Sequence, residues 1–190
     1  MKSLGFLSFG HWSDQRGSAT RTAGDALLQA IDISVAAEEL GLDGAYFRVH
    51  HFARQHASPF PLLAAVGART SKIEIGTGVI DMRYENPLYM AEDAGAADLI
   101  AQGRLQLGIS REGFAQPNPQ PMFPNPPGRL RLEPFSEGLR DRIWWGAGSD
   151  ATAAWAAKMG MNLQSSTLKD DETGEPFHIQ QAKQIRAYRE

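Results

Sequence analysis

The sequence predicts an α/β fold, a parallel sheet of the TIM-type (β/α)8-barrel kind that is incomplete over these 190 residues. Three observations predict it. Short β-branched runs alternate with stretches of helical spacing from the start of the chain to Ser110. A proline-rich stretch then interrupts the alternation, which resumes beyond it. The count reaches about six β-α units, where a closed barrel needs eight.

Leu4 to Phe9 is an apolar run closed by Gly10 and reads as a first strand. Ala23 to Leu40 carries Leu27, Ile31 and Val35 at helical spacing and stops at Gly41, which marks a helix. Ala45 to Val49 is a second strand and Pro61 to Thr70 a second helix. The β-branched alternation of Lys72 to Ile80 gives a third strand. Asn86 as N-cap and Pro87 at the first helical position open a third helix that runs to about Gln102. Arg104 to Ser110 is a fourth strand. Units of this length in series imply parallel strands joined by right-handed crossovers.

Seven prolines lie between Pro117 and Pro134, which excludes a helix or central strand there. Residues 112–141 are therefore expected to form an irregular excursion within one partial domain spanning 1–190. Arg142 to Ala147 resumes as a strand, Asp150 to Met159 as a helix, and Asn162 to Ser166 as a sixth strand. His178 to Glu190 opens a last helix. A doubly wound open sheet also accommodates six strands, but it usually marks its nucleotide site with a glycine-rich turn after the first strand. Here that turn is Phe9-Gly10-His11-Trp12-Ser13-Asp14, so the expectation is a barrel with segments missing after Arg111 and after Glu190.

Composition narrows the function classes. A formal net charge of -3 gives no electrostatic reason for a nucleic-acid or anionic-membrane partner. The absence of cysteine excludes disulfides, thiolate chemistry and Cys-based zinc sites. The opening residues lack the apolar run of a signal peptide, and no stretch approaches a membrane span, so a cytoplasmic location is expected.

In a parallel barrel the carboxyl ends of the strands form the active face. His50 and His51 stand just past the second strand, and histidine exchanges protons near neutral pH. Neighbouring strand residues point to opposite faces, which argues against the pair gripping one metal even with His56 as a third ligand; no metal site is expected. One His capping a loop and the other packed is an equally good account of the pair. Gly148-Ser149-Asp150-Ala151-Thr152 lies between a Trp-rich strand and a helix, where free amides and hydroxyls suit a phosphate, although the same residues make an ordinary N-cap. Thr77-Gly78-Val79 ends the third strand, where a glycine lets a flat ligand approach or merely relieves crowding. Arg111 ends the fourth strand and is suited to pairing with a phosphate, or is a plain surface residue. Trp144 and Trp145 alternate faces, one toward the barrel interior and one beneath a helix.

Five stretches taken in order carry a family resemblance: His50-His51-Phe52, Gly76-Thr77-Gly78-Val79-Ile80, Asn86-Pro87-Leu88-Tyr89-Met90-Ala91-Glu92-Asp93, Gly103 through Arg111, and Gly148 through Thr152. This order resembles the bacterial luciferase-like flavin-dependent monooxygenases, over Met1 to Arg111 and again over Arg142 to about Thr167. The resemblance implies a (β/α)8 barrel with FMN at its C-terminal face. It implies catalytic roles for His50 and His51, the first associated with the oxygen chemistry of the reduced flavin. It places a non-proline cis peptide at Gly78-Val79 under the flavin ring, beside Thr77, and the phosphate at Arg111, Ser149 and Thr152 with Gly148 beside them. Where the family carries a carboxylate before that serine, this chain has Gly148. After Arg111 the family continues into a glycine and a helix, whereas Glu112-Gly113-Phe114 leads into the prolines. The implied activity uses reduced FMN from a separate flavin reductase, and O2, to oxygenate a small organic substrate, in a protein that forms a homodimer. Two alternatives stay open: an F420-dependent oxidoreductase of the same superfamily, and a non-catalytic flavin-binding protein with a shortened barrel.

Overall fold

In the computed structural model the described residues are 3–51, 53–110, 136–165 and 175–190. Seven strands and five helices alternate through them: β1 (Gly5–Ser8), α1 (Ala23–Glu39), β2 (Gly44–Phe47), α2 (Pro59–Arg69), β3 (Glu74–Thr77), β4 (Ile80–Asp81), α3 (Pro87–Ile100), β5 (Leu105–Ser110), β6 (Ile143–Ala147), α4 (Asp150–Lys158), β7 (Asn162–Ser165) and α5 (Phe177–Arg189). All pairings are parallel, and the sheet runs β1-β2-β3-β5-β6-β7 with the two-residue β4 beside β5. Strand order follows chain order without a reversal. A doubly wound sheet reverses at its switch point, so this is the order of an incomplete barrel with its helices on one face.

The predicted third strand is divided. Its first part pairs with β5 through Ile75 and Gly76, and its last residue, Ile80, begins β4 opposite Ile109. Gly78 and Val79 lie between, and the peptide bond joining them is cis, as the resemblance implies. Other boundaries differ from the sequence reading by a residue or two; Pro59 rather than Pro61 opens α2, for instance, with Ser58 as its N-cap.

Local chemistry sets the helix ends. Thr22 and Asp25 form a reciprocal capping box at the start of α1. The Asn86 side chain accepts the amides of Leu88 and Tyr89 ahead of Pro87 in α3. The outward side chains of the sheet, among them Ala45, Phe47, Ile75, Leu105 and Leu107, form the main core with Leu62, Leu63 and Val66 of α2 and Ala94 and Ala97 of α3. Trp145 also faces outward, its ring 4.7 Å from that of Trp155 on α4.

Of the excursion over 112–141, residues 112–135 lie outside the described residues. Ser136 follows, then a 3-10 turn at Leu139–Arg142 that takes in the residue expected to start the strand. Asp98, fully buried near the end of α3, accepts the Leu105 amide at 2.9 Å together with the Ser136 hydroxyl and the Arg142 guanidinium. The chain leaves β5 at its carboxyl end and is anchored again at its amino end by Ser136.

Candidate functional site

Because the strands are parallel, their carboxyl ends share one rim. The loops after β1 and β2 are laced together there. The His56 amide donates to the Phe9 carbonyl at 3.3 Å, the Trp12 amide to the Arg54 carbonyl at 3.2 Å, and the His50 amide to the His56 carbonyl at 3.0 Å. Arg54 lies over the Trp12 ring, 5.1 Å from its centroid.

His50 and His51 are both on this rim and turn to different partners. Arg48 Nε donates to His50 Nε2 at 3.0 Å, while His50 Nδ1 meets Gln55 Oε1. Gln55 Nε2 in turn lies 2.7 Å from Nε2 of His11, whose ring stacks on Phe9. His51 Nε2 is 3.3 Å from Glu85 Oε1, an ion pair when the ring is protonated, and the ring packs near Tyr84. Beside it, Arg83 grips the carboxylate of Asp81; burial pushes that carboxyl up, but the hydrogen bonds and charge of Arg83 prevail and hold it below the ordinary range.

His56 takes a third direction. It is buried beneath Gly10 and edge-on to Phe47, and neither ring nitrogen has a hydrogen-bond partner among the described residues. Burial lowers its pKa. Gly10 has φ +61°, and a Cβ there would fall 2.0 Å from His56 Nε2, so only glycine fits over the ring. The three rings have different surroundings, and the described residues contain no group of three or more His, Asp or Glu able to hold a metal.

Further along the rim, the Thr77 hydroxyl donates to the Gly108 carbonyl at 2.6 Å, tying β3 to β5 above the point where their backbone pairing stops. Val79, Ser110 and Gly146 meet at the next position: a Cβ on Gly146 would lie 3.2 Å from Val79 Cγ1 and 3.3 Å from Ser110 Cβ. The Ser110 hydroxyl is buried there with no hydrogen-bond partner among the described residues. At the start of α4, Ser149 and Thr152 form a capping box, each side chain bonded to the other's backbone. The first-turn amides of Asp150 and Ala151 have no intrahelical acceptor, and Gly148 before them is exposed. Arg111 lies outside the described residues.

Below the rim, on the inner face of the sheet, is a cavity of about 350 Å³ whose lining includes Leu7, Tyr46, Gln106, Gly108, Trp144 and Gln164. Trp144 Nε1 donates to Gln106 Oε1 at 2.8 Å. Tyr46 donates to Glu74 at 3.2 Å, and burial together with that carboxylate pushes its phenol up to about 12. The rim fits a phosphate-bearing redox cofactor at two points: the Ser110 hydroxyl, buried without a hydrogen-bond partner among the described residues, and the glycine-led start of α4 for the phosphate. The exposed Asp150 carboxylate in that first turn opposes an anion, which leaves the amides and hydroxyls to favour it.

The family model described as "Luciferase-like monooxygenase" matches residues 1–132. The chain belongs to the luciferase-like monooxygenase family. Among curated relatives, an F420-dependent glucose-6-phosphate dehydrogenase from Nocardia farcinica is 37% identical over 87 residues, 43% of this chain and 26% of that protein. The oxygenase component of a flavin-dependent trigonelline monooxygenase from Acinetobacter baylyi is 26% identical over 103 residues, 53% of this chain and 29% of that protein. The crystal structure of a Streptomyces bottropensis monooxygenase superposes with a TM-score of 0.76 at 20% identity, over 99% of this chain and 65% of that one. The matched stretch is thus under a third of the curated relatives' own length. This luciferase-like chain shares its family with both flavin- and F420-dependent enzymes.

The histidine pair, Thr77, the cis peptide and the helix start at Gly148-Ser149 all stand at strand ends, where sequence order places them. The partners of His50 do not follow from sequence order. Gln55 and His11 are 44 residues apart and share no motif, and Arg48 reads simply as a strand residue. Ser110 falls between Gly103 and Arg111, but only its burial singles it out.

Proposed function

We propose that this chain supplies the flavin-binding rim of an FMN-dependent monooxygenase, which uses reduced flavin from a separate reductase and O2 to oxygenate a small organic substrate. The observation that carries this reading is the His50-His51 pair at the end of β2, two rings on one rim with separate partners. The named activity of the Acinetobacter baylyi relative, an oxygenase component, supports it. When bound, reduced FMN would supply the electrons that let O2 react with the substrate. His50, held between Arg48 at Nε2 and Gln55 at Nδ1, handles a proton at the rim. His51 is oriented by Glu85. Ser110 offers its buried hydroxyl to the ring system beside the Gly78-Val79 peptide. Ser149, Thr152 and the α4 amides, with Arg111, hold the phosphate. The cavity below, lined by Leu7, Trp144 and glutamine side chains, suits a small organic molecule with an apolar body.

A second reading has its own observation: the F420-dependent relative is the more identical of the two over its matched stretch. Titrating the protein with FMN and with F420 separates them. Saturable FMN binding with weak F420 binding supports the monooxygenase, and the reverse preference would replace it with an F420-dependent oxidoreductase. With a reductase present, His50→Ala is expected to keep FMN affinity and lower product formation by about a hundredfold; unchanged turnover would remove His50 from the reaction.

A further inference from the structure

We infer that Gln55 is a positioning residue that sets the ring of His50, as the middle member of a one-directional hydrogen-bond chain running Arg48 to His50 to Gln55 to His11. The direction follows from the chemistry of one end. A guanidinium carries only donors. Arg48 Nε, 3.0 Å from His50 Nε2, therefore requires a lone pair on that nitrogen. His50 is then a neutral ring with its proton on Nδ1, and that N–H donates to Gln55 Oε1. With its oxygen committed, Gln55 turns its amide N–H toward His11 Nε2, 2.7 Å away, which must accept and leaves the His11 proton on Nδ1. Two histidine tautomers and one amide orientation are thus fixed from Arg48 outward.

The chain joins two loops. His11 follows β1 and Gln55 follows β2, and the backbone bonds between Phe9 and His56 and between Trp12 and Arg54 hold the same loops together. Gln55 is half-buried and reaches both rings, whereas His11 is exposed at the far end. The consequence is that His50 is held ready with a lone pair on Nε2 and a proton on Nδ1, and its orientation depends on a residue that carries no charge. The functional half of this inference rests on the reading of His50 as a group of the reaction site; the tautomer half does not.

The test is a long-range 15N–1H correlation spectrum of the histidines in the protein without cofactor, for the wild type and two variants. In the wild type, His50 is expected to carry its proton on Nδ1 alone. Gln55→Leu, similar in size but unable to bond, is expected to release His11 into a tautomer mixture, to leave the His50 proton on Nδ1 under Arg48 while freeing the ring to turn, and to lower turnover about tenfold. Gln55→Glu can only accept. It should keep the His50 proton on Nδ1 and put a proton on His11 Nε2, rescuing most of the turnover that Gln55→Leu loses. A His50 protonated on Nε2 in the wild type, or a His11 unchanged by Gln55→Glu, would overturn the inference. If the tautomers respond as described while His50→Ala leaves turnover intact, the chain stands and the assigned role of His50 falls. If His50→Ala abolishes turnover while Gln55→Leu moves neither tautomers nor rate, Gln55 has no positioning role and the reading of His50 survives.

Discussion

Glu38 shows how much a single side chain holds at the opposite end of the molecule. Its carboxylate accepts the backbone amides of Ser71, Lys72 and Ile73 at 2.6 to 3.1 Å and so fastens the last turn of α1 to the entry of β3. Burial acts to raise its pKa, but these hydrogen bonds outweigh it and bring the group from 4.5 down to about 2. A carboxyl depressed in the folded state contributes stability above its unfolded pKa and loses it as pH falls through the folded one. Glu38→Gln should therefore cost about 1–2 kcal/mol at pH 7 after solvent screening, and the difference from wild type should shrink between pH 4.5 and 2. Urea denaturation of both proteins at pH 7 and at low pH checks the sign. None of these partners could be anticipated from sequence. Asn86-Pro87 announces its cap within three residues, while Glu38 meets its amides 33 to 35 residues away. A separation of 44 residues likewise hides the His11–Gln55 contact, although the histidine pair itself is plain to read.

At the scale of elements, the strand and helix alternation was legible because each unit carries its own signals: apolar runs, Gly41 after α1, Pro87 at the start of α3. The division of the third strand was not, since Lys72 to Ile80 alternates without interruption and the break depends on how β3 and β4 meet β5. Nor did the prolines between 117 and 134 show how the chain returns. That depends on Asp98, which looks like any helix residue in sequence but is buried against Leu105, Ser136 and Arg142. Removing its charge leaves Arg142 half-buried and unpaired. Asp98→Asn is expected to destabilise the protein by about 3 kcal/mol, and the Asp98→Asn/Arg142→Met double variant by less than the sum of its parts. Denaturant midpoints of the two single variants and the double variant measure that coupling.

Across the whole molecule the core is uneven. The main cluster lies between β1–β5 and the helices α1 to α3, whereas the described residues from β6 onward add Ala147, Ala153 and Ala156 as their fully buried apolar side chains. Local opening costs least where buried apolar contacts are fewest. Backbone amides of β6, β7 and α4 are therefore expected to exchange with deuterium well before those of β2, β3 and β5 under native conditions. Simultaneous exchange across the sheet would show a single cooperative unit instead. The order of strands explains why composition alone could not reveal this. All the units have similar patterns, and only their packing ranks them.

The placement of the tryptophans has a consequence in optics. Trp144 looks into the cavity, Trp12 sits on the rim under Arg54, and Trp145 and Trp155 touch each other on the outer side of the sheet. The protein thus carries separate light-emitting reporters for its inside, its edge and its back. A molecule entering the cavity will quench or shift the emission of Trp144 while the outer pair keeps its spectrum, so fluorescence from single-tryptophan variants can show where a ligand sits.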